Sequence, residues 1–350
     1  MIHQYKSHGY NIVMDVNSSA VHVVDDVVYD MIPVYEKQED KEAIFASLDS
    51  YPREELEAAY EEITRLKNEG MLYTEDIYQK YMTDFKKRKT VVKALCLHIA
   101  HDCNLACRYC FAEEGEYHGR RAIMSYEVGK KALDFLVANS GNRTNLEVDF
   151  FGGEPLMNWE VVKQLVAYGR SLEEEHHKKF RFTITTNGVL LNDEILEFVN
   201  KEMGNMVLSI DGRKEVHDRM RPHRGGQGSY DEIVPKFKKA AESRGQMNYY
   251  VRGTYTHYNT DFAKDVLHLA DLGFKQISVE PVVAPETEDY AIREEDLPQL
   301  LAQYDELAEE MIKRRKEGND FPTLCRTFPN SPSTSFSIFG KSPAGHLFIH

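Results

Sequence analysis

Cysteine is scarce in this chain. Its 350 residues include only five, and Cys103, Cys107 and Cys110 account for three of them. Five cysteines, most in one cluster, cannot be the disulfide framework of a secreted domain; they point to a reducing compartment and a metal site. No apolar run approaches membrane-spanning length. The opening Met1-Ile2-His3-Gln4-Tyr5-Lys6 lacks the apolar core of a signal peptide. Positive charge is in deficit: 43 Lys and Arg face 57 Asp and Glu, for a formal net charge of −14. That balance argues against binding nucleic acid or an anionic membrane surface non-specifically, and leaves a basic or partly buried peptide as an open partner. With 42% hydrophobic residues, the length suffices for two or three domains with real cores.

The chain is organised around His101-Asp102-Cys103-Asn104-Leu105-Ala106-Cys107-Arg108-Tyr109-Cys110, which reads Cys-x3-Cys-x2-Cys. Three thiols at this spacing fit one compact loop and can ligate one metal centre. Thiolates usually hold iron–sulfur clusters four at a time. Three would leave one iron open to another ligand, which suits chemistry better than electron storage. The spacing matches neither the bacterial nor the plant ferredoxin run. A zinc loop completed by His98, His101 or His118 stays open as the alternative.

Residues 1–85 read as a separate α+β block. Tyr10 to Val16 and Ala20 to Asp25 flank the turn signal Asn17-Ser18-Ser19 and predict a hairpin. A helix starts at Val27 and is limited by Pro33. Lys41 to Leu48 predicts a second helix. Pro52 to Asn68 predicts a third, with Leu56, Ala59, Tyr60, Ile63 and Leu66 at helical spacing. Met71-Leu72-Tyr73 reads as a short closing strand. Together these give a winged-helix-like outline, whose acidic helices count against DNA. Residues 86–90 read as a linker, with Lys86-Lys87-Arg88-Lys89 as a solvated face.

From residue 91 to about 320 strands and helices alternate. Six strands are predicted, beginning at Ala94, Leu146, Phe180, Met206, Asn248 and Gln276, each followed by a helical pattern. Six βα units demand a parallel sheet with right-handed crossovers, and fall short of the eight that close a barrel. In such sheets function gathers at the C-terminal strand ends. The cysteine loop follows the first strand and Gly152-Gly153-Glu154-Pro155 the second. Thr186 and Asn187 end the third, and Ser209 and Asp211 the fourth. His217-Asp218, His223 and Arg224-Gly225-Gly226-Gln227-Gly228 read as a mobile loop near the substrate, and Cys96 as a core residue.

The cysteine loop resembles that of the radical S-adenosylmethionine (SAM) enzymes, whose pattern is Cys-x3-Cys-x-aromatic-Cys; Tyr109 supplies the aromatic. The resemblance implies an α/β fold, a partial (β/α)6 barrel, with two cofactors: a [4Fe-4S] cluster on the three cysteines and SAM on the open iron. It implies that Gly152, Gly153 and Glu154 receive the amino group of SAM. Ser209 and Asp211 look like the fourth-strand site for ribose and methionine carboxylate, with Thr186 and Asn187 beside it. Strand-end hydrogen bonding is the competing account of these four. A SAM carboxylate also wants an arginine; Arg221 and Arg252 are both candidates. Ile277-Ser278-Val279 could carry the adenine by backbone contact, or be a plain core strand.

The whole pattern is similar to radical SAM peptide maturases, in particular those that make thioether cross-links in the peptides named for six cysteines in forty-five residues (SCIFF). That likeness implies that residues 1–85 recognise a leader peptide by strand addition. It further implies a Cys-rich precursor peptide as substrate, a flavodoxin or ferredoxin as electron donor, and a cytoplasmic location in an anaerobe. The chain departs from the family at its end. Members carry a cysteine-rich C-terminal (SPASM) domain with two auxiliary clusters, whereas here Cys325 is the only later cysteine. Residues 321–350 are Ser/Pro-rich and read as an irregular tail, truncated or frame-shifted, which puts the thioether step in doubt. Two other readings stand beside this one: a maturase of another protein substrate, such as a sulfatase, and a non-catalytic leader-binding remnant.

Overall fold

The computed structural model describes residues 1–38, 40–79, 90–113, 115–117, 119–318 and 347–349, the last three by backbone alone. The chain forms two compact units, one from Met1 to Lys89 and a second beginning at Thr90.

The first unit opens with three strands, β1 (Ile2–Ser7), β2 (Tyr10–Asp15) and β3 (Ala20–Val24), paired antiparallel in that order. The predicted hairpin is β2 and β3. The strand ahead of it is missed because His3, Tyr5 and Lys6 are exposed and leave little apolar alternation to read. Helices α1 (Asp26–Tyr35), α2 (Lys41–Ala46) and α3 (Arg53–Asn68) follow. Val13, Met31, Ile32, Ile44 and Ile63 form their common core.

Pro33 does not end α1, which runs on to Tyr35. A proline strips the hydrogen bond from the carbonyl four residues back. Here that carbonyl, on Tyr29, accepts the Gln4 side-chain amide at 2.7 Å instead. Met71 to Tyr73 is not a strand either. Leu72 is buried in the core, and the Tyr73 hydroxyl donates to the Ile32 carbonyl at 2.6 Å, so side chains rather than a ladder fix this segment. The winged-helix outline is thus altered: a leading strand is added and the closing strand is absent among the described residues. The basic run Lys86 to Lys89 lies outside them.

The second unit is built on β4 (Ala94–His101), β6 (Asn145–Gly152), β7 (Lys179–Thr186), β8 (Asn205–Ser209), β9 (Tyr249–Tyr255) and β10 (Ile277–Pro281). All six are parallel and pair in chain order. A two-residue strand, β5 (Ala122–Ile123), runs antiparallel to β4. Helices α4 (Tyr126–Asn139), α5 (Trp159–His176), α6 (Asp193–Glu202), α8 (Tyr230–Ser243) and α9 (Ala263–Asp271) supply the crossovers, and α10 (Leu297–Lys316) follows β10. Two of them are capped by side chains: Ser125 accepts from Val128 N and Asn192 from Ile195 N. A further helix, α7 (Lys214–Met220), lies where only loop is predicted; its seven residues are too few for a readable period.

The sheet is an open partial barrel among the described residues, since β10 and β4 do not pair. Part of the predicted irregular tail is regular: β11 (Leu347–Ile349) pairs parallel with β4 on its free side. The rest of that tail, with Cys325, lies outside the described residues. Side chains alternate across the sheet. Leu97, Val148, Phe182, Leu208 and Val251 face the helices in one apolar core. Cys96, Asp149, Thr183, Ser209, Arg252 and Glu280 fall on the alternate positions and face away from it. Cys96 is therefore half-buried on the polar face, not a core residue as its apolar neighbours suggest.

Candidate functional site

The cysteine loop leaves the C-terminal end of β4 and docks on the segment after α7. Ala106 N donates to the Pro222 carbonyl and Arg108 N to that of Met220, each at 2.9 Å. Leu105, buried, forms an isolated bridge with His223. The glycine-rich loop predicted to be mobile is pinned to the same place. Arg224 Nε donates to the Cys103 carbonyl and Nη2 to Asp102 Oδ1, both at 2.8 Å.

The Gly-Gly-Glu-Pro segment lies against the base of this loop. Gly153 N donates to the Ala100 carbonyl at 2.8 Å and Glu154 N to that of Asp102 at 2.9 Å. The approach needs glycine. A Cβ on Gly152, at φ +125°, would lie 2.5 Å from Ala100 O, and one on Gly153 would lie 2.1 Å from Asp102 O. Glu154 itself is fully buried. Its Oε1 accepts from Leu156 N at 3.0 Å and Thr186 Oγ1 at 2.8 Å, and its Oε2 from Asn187 N at 2.8 Å. Burial pushes its carboxyl up to about 7, against the pull of these three donors. Glu154 thereby fixes the end of β7. Asn187 Nδ2 then donates to Asn104 Oδ1 at 2.7 Å and stands 3.6 Å from Cys103 Sγ.

Asp211, one turn of chain past β8, is also fully buried. It accepts from the Tyr109 hydroxyl, from Arg221 Nε at 3.0 Å and from Thr254 N at 3.0 Å. The Arg221 guanidinium lies 5.3 Å from the centre of the Tyr109 ring, and its pairing with Asp211 holds its charge firmly. His217 braces the turn, with Nδ1 3.3 Å from Asp211 N and Nε2 3.0 Å from Ser229 Oγ. Burial drives its pKa down to about 4. The two candidate arginines are thus separated. Arg221 is buried and bound to Asp211. Arg252 is half-exposed beside Ser209, its register partner, and pairs through Nη2 with Glu280 at 2.6 Å.

Burial pushes the thiols of Cys103 and Cys107 up to about 12 and about 11. Such thiols ionise only with a strong positive charge at hand, as a metal supplies. The three sense one another, since each neighbouring thiolate opposes ionisation of Cys103. Yet among the described residues no three His, Cys, Asp or Glu side chains converge on one metal ion. Three thiolates on one loop could each take a different iron of a cluster. Of the proposed zinc ligands, His98 stacks on Tyr117 at 4.4 Å and His101 lies 4.9 Å from the same ring, while His118 lies outside the described residues.

The structure so brings together Cys103, Cys107, Cys110, Tyr109, Gly152, Gly153, Glu154, Thr186, Asn187, Asp211 and Arg221, and places Ser209 and Arg252 on the adjoining polar face. Sequence reading gave no role to Asp102, Asn104 or Glu280, and to Arg224 only a place in a loop near the substrate. Asp102 and Asn104 flank a ligand candidate in sequence, which was an available signal; Arg224 lies in the glycine-rich loop read as near the substrate, though its grip on Cys103 was not foreseen, and Glu280, at the end of β10, carried no signal.

Residues 97–251 match the Radical SAM superfamily. The chain carries a radical SAM domain, and the cofactors of that superfamily are a [4Fe-4S] cluster and SAM. Among curated relatives, the serine-type anaerobic sulfatase-maturating enzyme of Bacteroides thetaiotaomicron is 26% identical over 256 residues, 71% of this chain and 57% of that protein. The radical SAM cyclopropyl synthase TigE of Paramaledivibacter caminithermalis is 26% identical over 187 residues, 49% of this chain and 38% of that protein. The chain spans about half the length of the curated relatives it matches. In fold it is similar to native anSMEcpe solved with bound AdoMet and the Kp18Cys peptide. That match has a TM-score of 0.58 at 19% identity and covers 67% of this chain and 63% of that one. Among the described residues no helix is long and apolar enough to cross a membrane.

Proposed function

We propose that this chain is a radical SAM peptide maturase that forms thioether cross-links in a Cys-rich precursor peptide. The observation that carries the radical SAM part is the meeting of three thiols, a glycine-lined turn and a braced aspartate at one end of a parallel sheet. Cys103, Cys107 and Cys110 would hold the [4Fe-4S] cluster. When bound and reduced, the cluster supplies the electron that cleaves SAM to methionine and a 5′-deoxyadenosyl radical.

The chain's own residues then divide the binding work. Glu154 is fully buried and held by three donors at the end of β7, so the SAM ammonium falls to the backbone carbonyls of the Gly152-Gly153 segment. Glu154 positions Thr186 and Asn187 instead. Arg221 is buried against Asp211, whereas Arg252 is accessible beside Ser209, so Arg252 and Ser209 take the methionine carboxylate. Asp211, likewise, anchors Tyr109 more than it offers a ribose contact. In the first unit, β3 pairs with β2 and has no second partner among the described strands. Val21 and Val23 on it are exposed. This is the edge to which a leader peptide would add a strand. A flavodoxin or ferredoxin in the cytoplasm would deliver the electron.

The likeness over 71% of the chain to a sulfatase-maturating enzyme favours a second reading, oxidation of a serine or cysteine in a folded protein's segment. One experiment separates them. The anaerobically reconstituted chain, with SAM and dithionite, is offered a Cys-rich peptide and a sulfatase peptide. We expect 5′-deoxyadenosine; a loss of two hydrogens with a new thioether in the Cys-rich peptide alone, read by mass spectrometry, would support the first reading. Product from the sulfatase peptide alone would favour the second reading. Tightly bound zinc without iron would overturn both.

A further inference from the structure

Asp102 is a junction that neither the cysteines nor the Gly-Gly-Glu-Pro segment explains. Its carbonyl accepts from Glu154 N at 2.9 Å. Its carboxylate Oδ1 accepts from Cys103 N at 2.9 Å and from Arg224 Nη2 at 2.8 Å. Arg224 closes the ring by donating Nε to the Cys103 carbonyl at 2.8 Å. Arg121 Nε stands 3.6 Å from the same Oδ1. A guanidinium from the loop after α7 therefore grips the backbone of the first cysteine at both ends of its peptide neighbourhood, once directly and once through Asp102. The planar fork of arginine suits this two-point grip; a lysine would supply the charge but not the fork.

We propose that Arg224 and Asp102 are positioning residues that set the reduction potential of the cluster through Cys103. The proposal rests on the reading that Cys103 is a cluster ligand. The potential of an iron–sulfur cluster depends on nearby net charge and on hydrogen bonding around its ligands. Reduction adds a negative charge, so the Arg224 cation favours the reduced cluster and the Asp102 anion opposes it. The two residues share one lock, but their charges act with opposite sign.

That opposition provides the test. Wild type, Arg224→Gln, Arg224→Lys and Asp102→Asn are reconstituted anaerobically, iron and sulfide are counted, and the cluster is titrated potentiometrically by electron paramagnetic resonance without SAM. Asn keeps the oxygen that accepts from both Cys103 N and Arg224, so Asp102→Asn removes charge more than geometry. We expect Arg224→Gln to move the potential negative and Asp102→Asn to move it positive. Arg224→Lys should load iron and stay near wild type. An unmoved potential in iron-loaded Arg224→Gln, or shifts of the same sign in the Gln and Asn variants, would overturn the proposal. If Arg224→Gln takes up no cluster, the Lys variant decides: loading with a near-wild-type potential supports it, and failure to load or a displaced potential overturns it. Absence of iron in wild type would instead sink the underlying cluster reading.

Discussion

Tyr109 donates its hydroxyl to both carboxylate oxygens of Asp211, at 2.8 Å to Oδ1 and 2.6 Å to Oδ2. These residues are 102 positions apart, so this contact closes a long loop between the cysteine segment and the end of β8. Arg221 completes the arrangement with a buried charge against the same carboxylate. Removing one member of a buried pair leaves the other charge uncompensated, which costs more than losing one hydrogen bond. We expect Tyr109→Phe to cost about 1.5–3 kcal/mol, the worth of a hydrogen bond to a charged group. Asp211→Asn should cost about 3–5 kcal/mol by stranding Arg221. Denaturant unfolding of the iron-free chain measures both, and equal losses would show that Arg221 finds another partner.

The glycines make a separate case. At Gly153 an added Cβ meets the Asp102 carbonyl, which is backbone and cannot swing aside. At Gly226, with φ +84°, nothing lies within 4 Å, so alanine there pays only for the left-handed conformation, about 1 kcal/mol. We expect Gly153→Ala to displace the cysteine loop and lower iron uptake several-fold, with Gly226→Ala close to wild type. Iron per chain after reconstitution checks it.

How the sequence relates to these contacts differs by type. The parallel sheet was legible because Val148, Phe150, Phe182 and Ile184 belong to strand-like runs that alternate with helical patterns. The cysteine loop and Gly-Gly-Glu-Pro were legible because their chemistry is local. The partner of Glu154 was not: no spacing rule connects it to Asn187 N. The choice between Arg221 and Arg252 was closed to sequence too, since it turns on Asp211 reaching one and Glu280 the other. Strand β1 escaped because its side chains are mostly polar, and α1 ran past Pro33 because Gln4 serves the carbonyl that proline leaves unpaired.

His217 should make stability depend on acid. Its folded pKa of about 4 lies below the ordinary 6.5, so the unfolded chain takes up the proton first. The contribution is whole above about pH 6.5 and is lost as the pH falls toward 4, roughly 3 kcal/mol in total. Glu154 acts oppositely in much of that window. Its folded pKa is raised to about 7, so its contribution is greatest in acid and declines as pH rises through that value. Comparing wild type with His217→Gln cancels the glutamate. We expect the stability gap between them to change by roughly 3 kcal/mol between pH 7 and pH 4; a constant gap would mean that the histidine titrates in the folded chain as it does in the unfolded one.

The edge of β3 gives a prediction about the peptide. Val23 is 66% exposed on a strand with one partner. Replacing Val23 by Pro removes an N–H and stiffens the edge, which should abolish strand addition with little effect on the folded unit. Calorimetry with a candidate leader on the full chain reads it. Binding unchanged by Val23→Pro would move the leader elsewhere.

The two arginines allow the SAM site itself to be tested. Arg221 is buried against Asp211 and Tyr109, so replacing it damages the fold whether or not SAM is present. Arg252 is half-exposed, and its pairing with Glu280 is the kind of solvent-accessible contact worth about 1 kcal/mol or less. Arg252→Gln should therefore leave unfolding nearly untouched. If Arg252 takes the methionine carboxylate, the variant loses a charge-assisted contact of about 1.5–3 kcal/mol, a ten- to hundred-fold weaker SAM. It should bind 5′-deoxyadenosine, which has no carboxylate, as wild type does. Equilibrium binding of both ligands to the iron-loaded variants decides it. Equal weakening for the two ligands would place Arg252 at the nucleoside, and no weakening for either would return the carboxylate to Arg221.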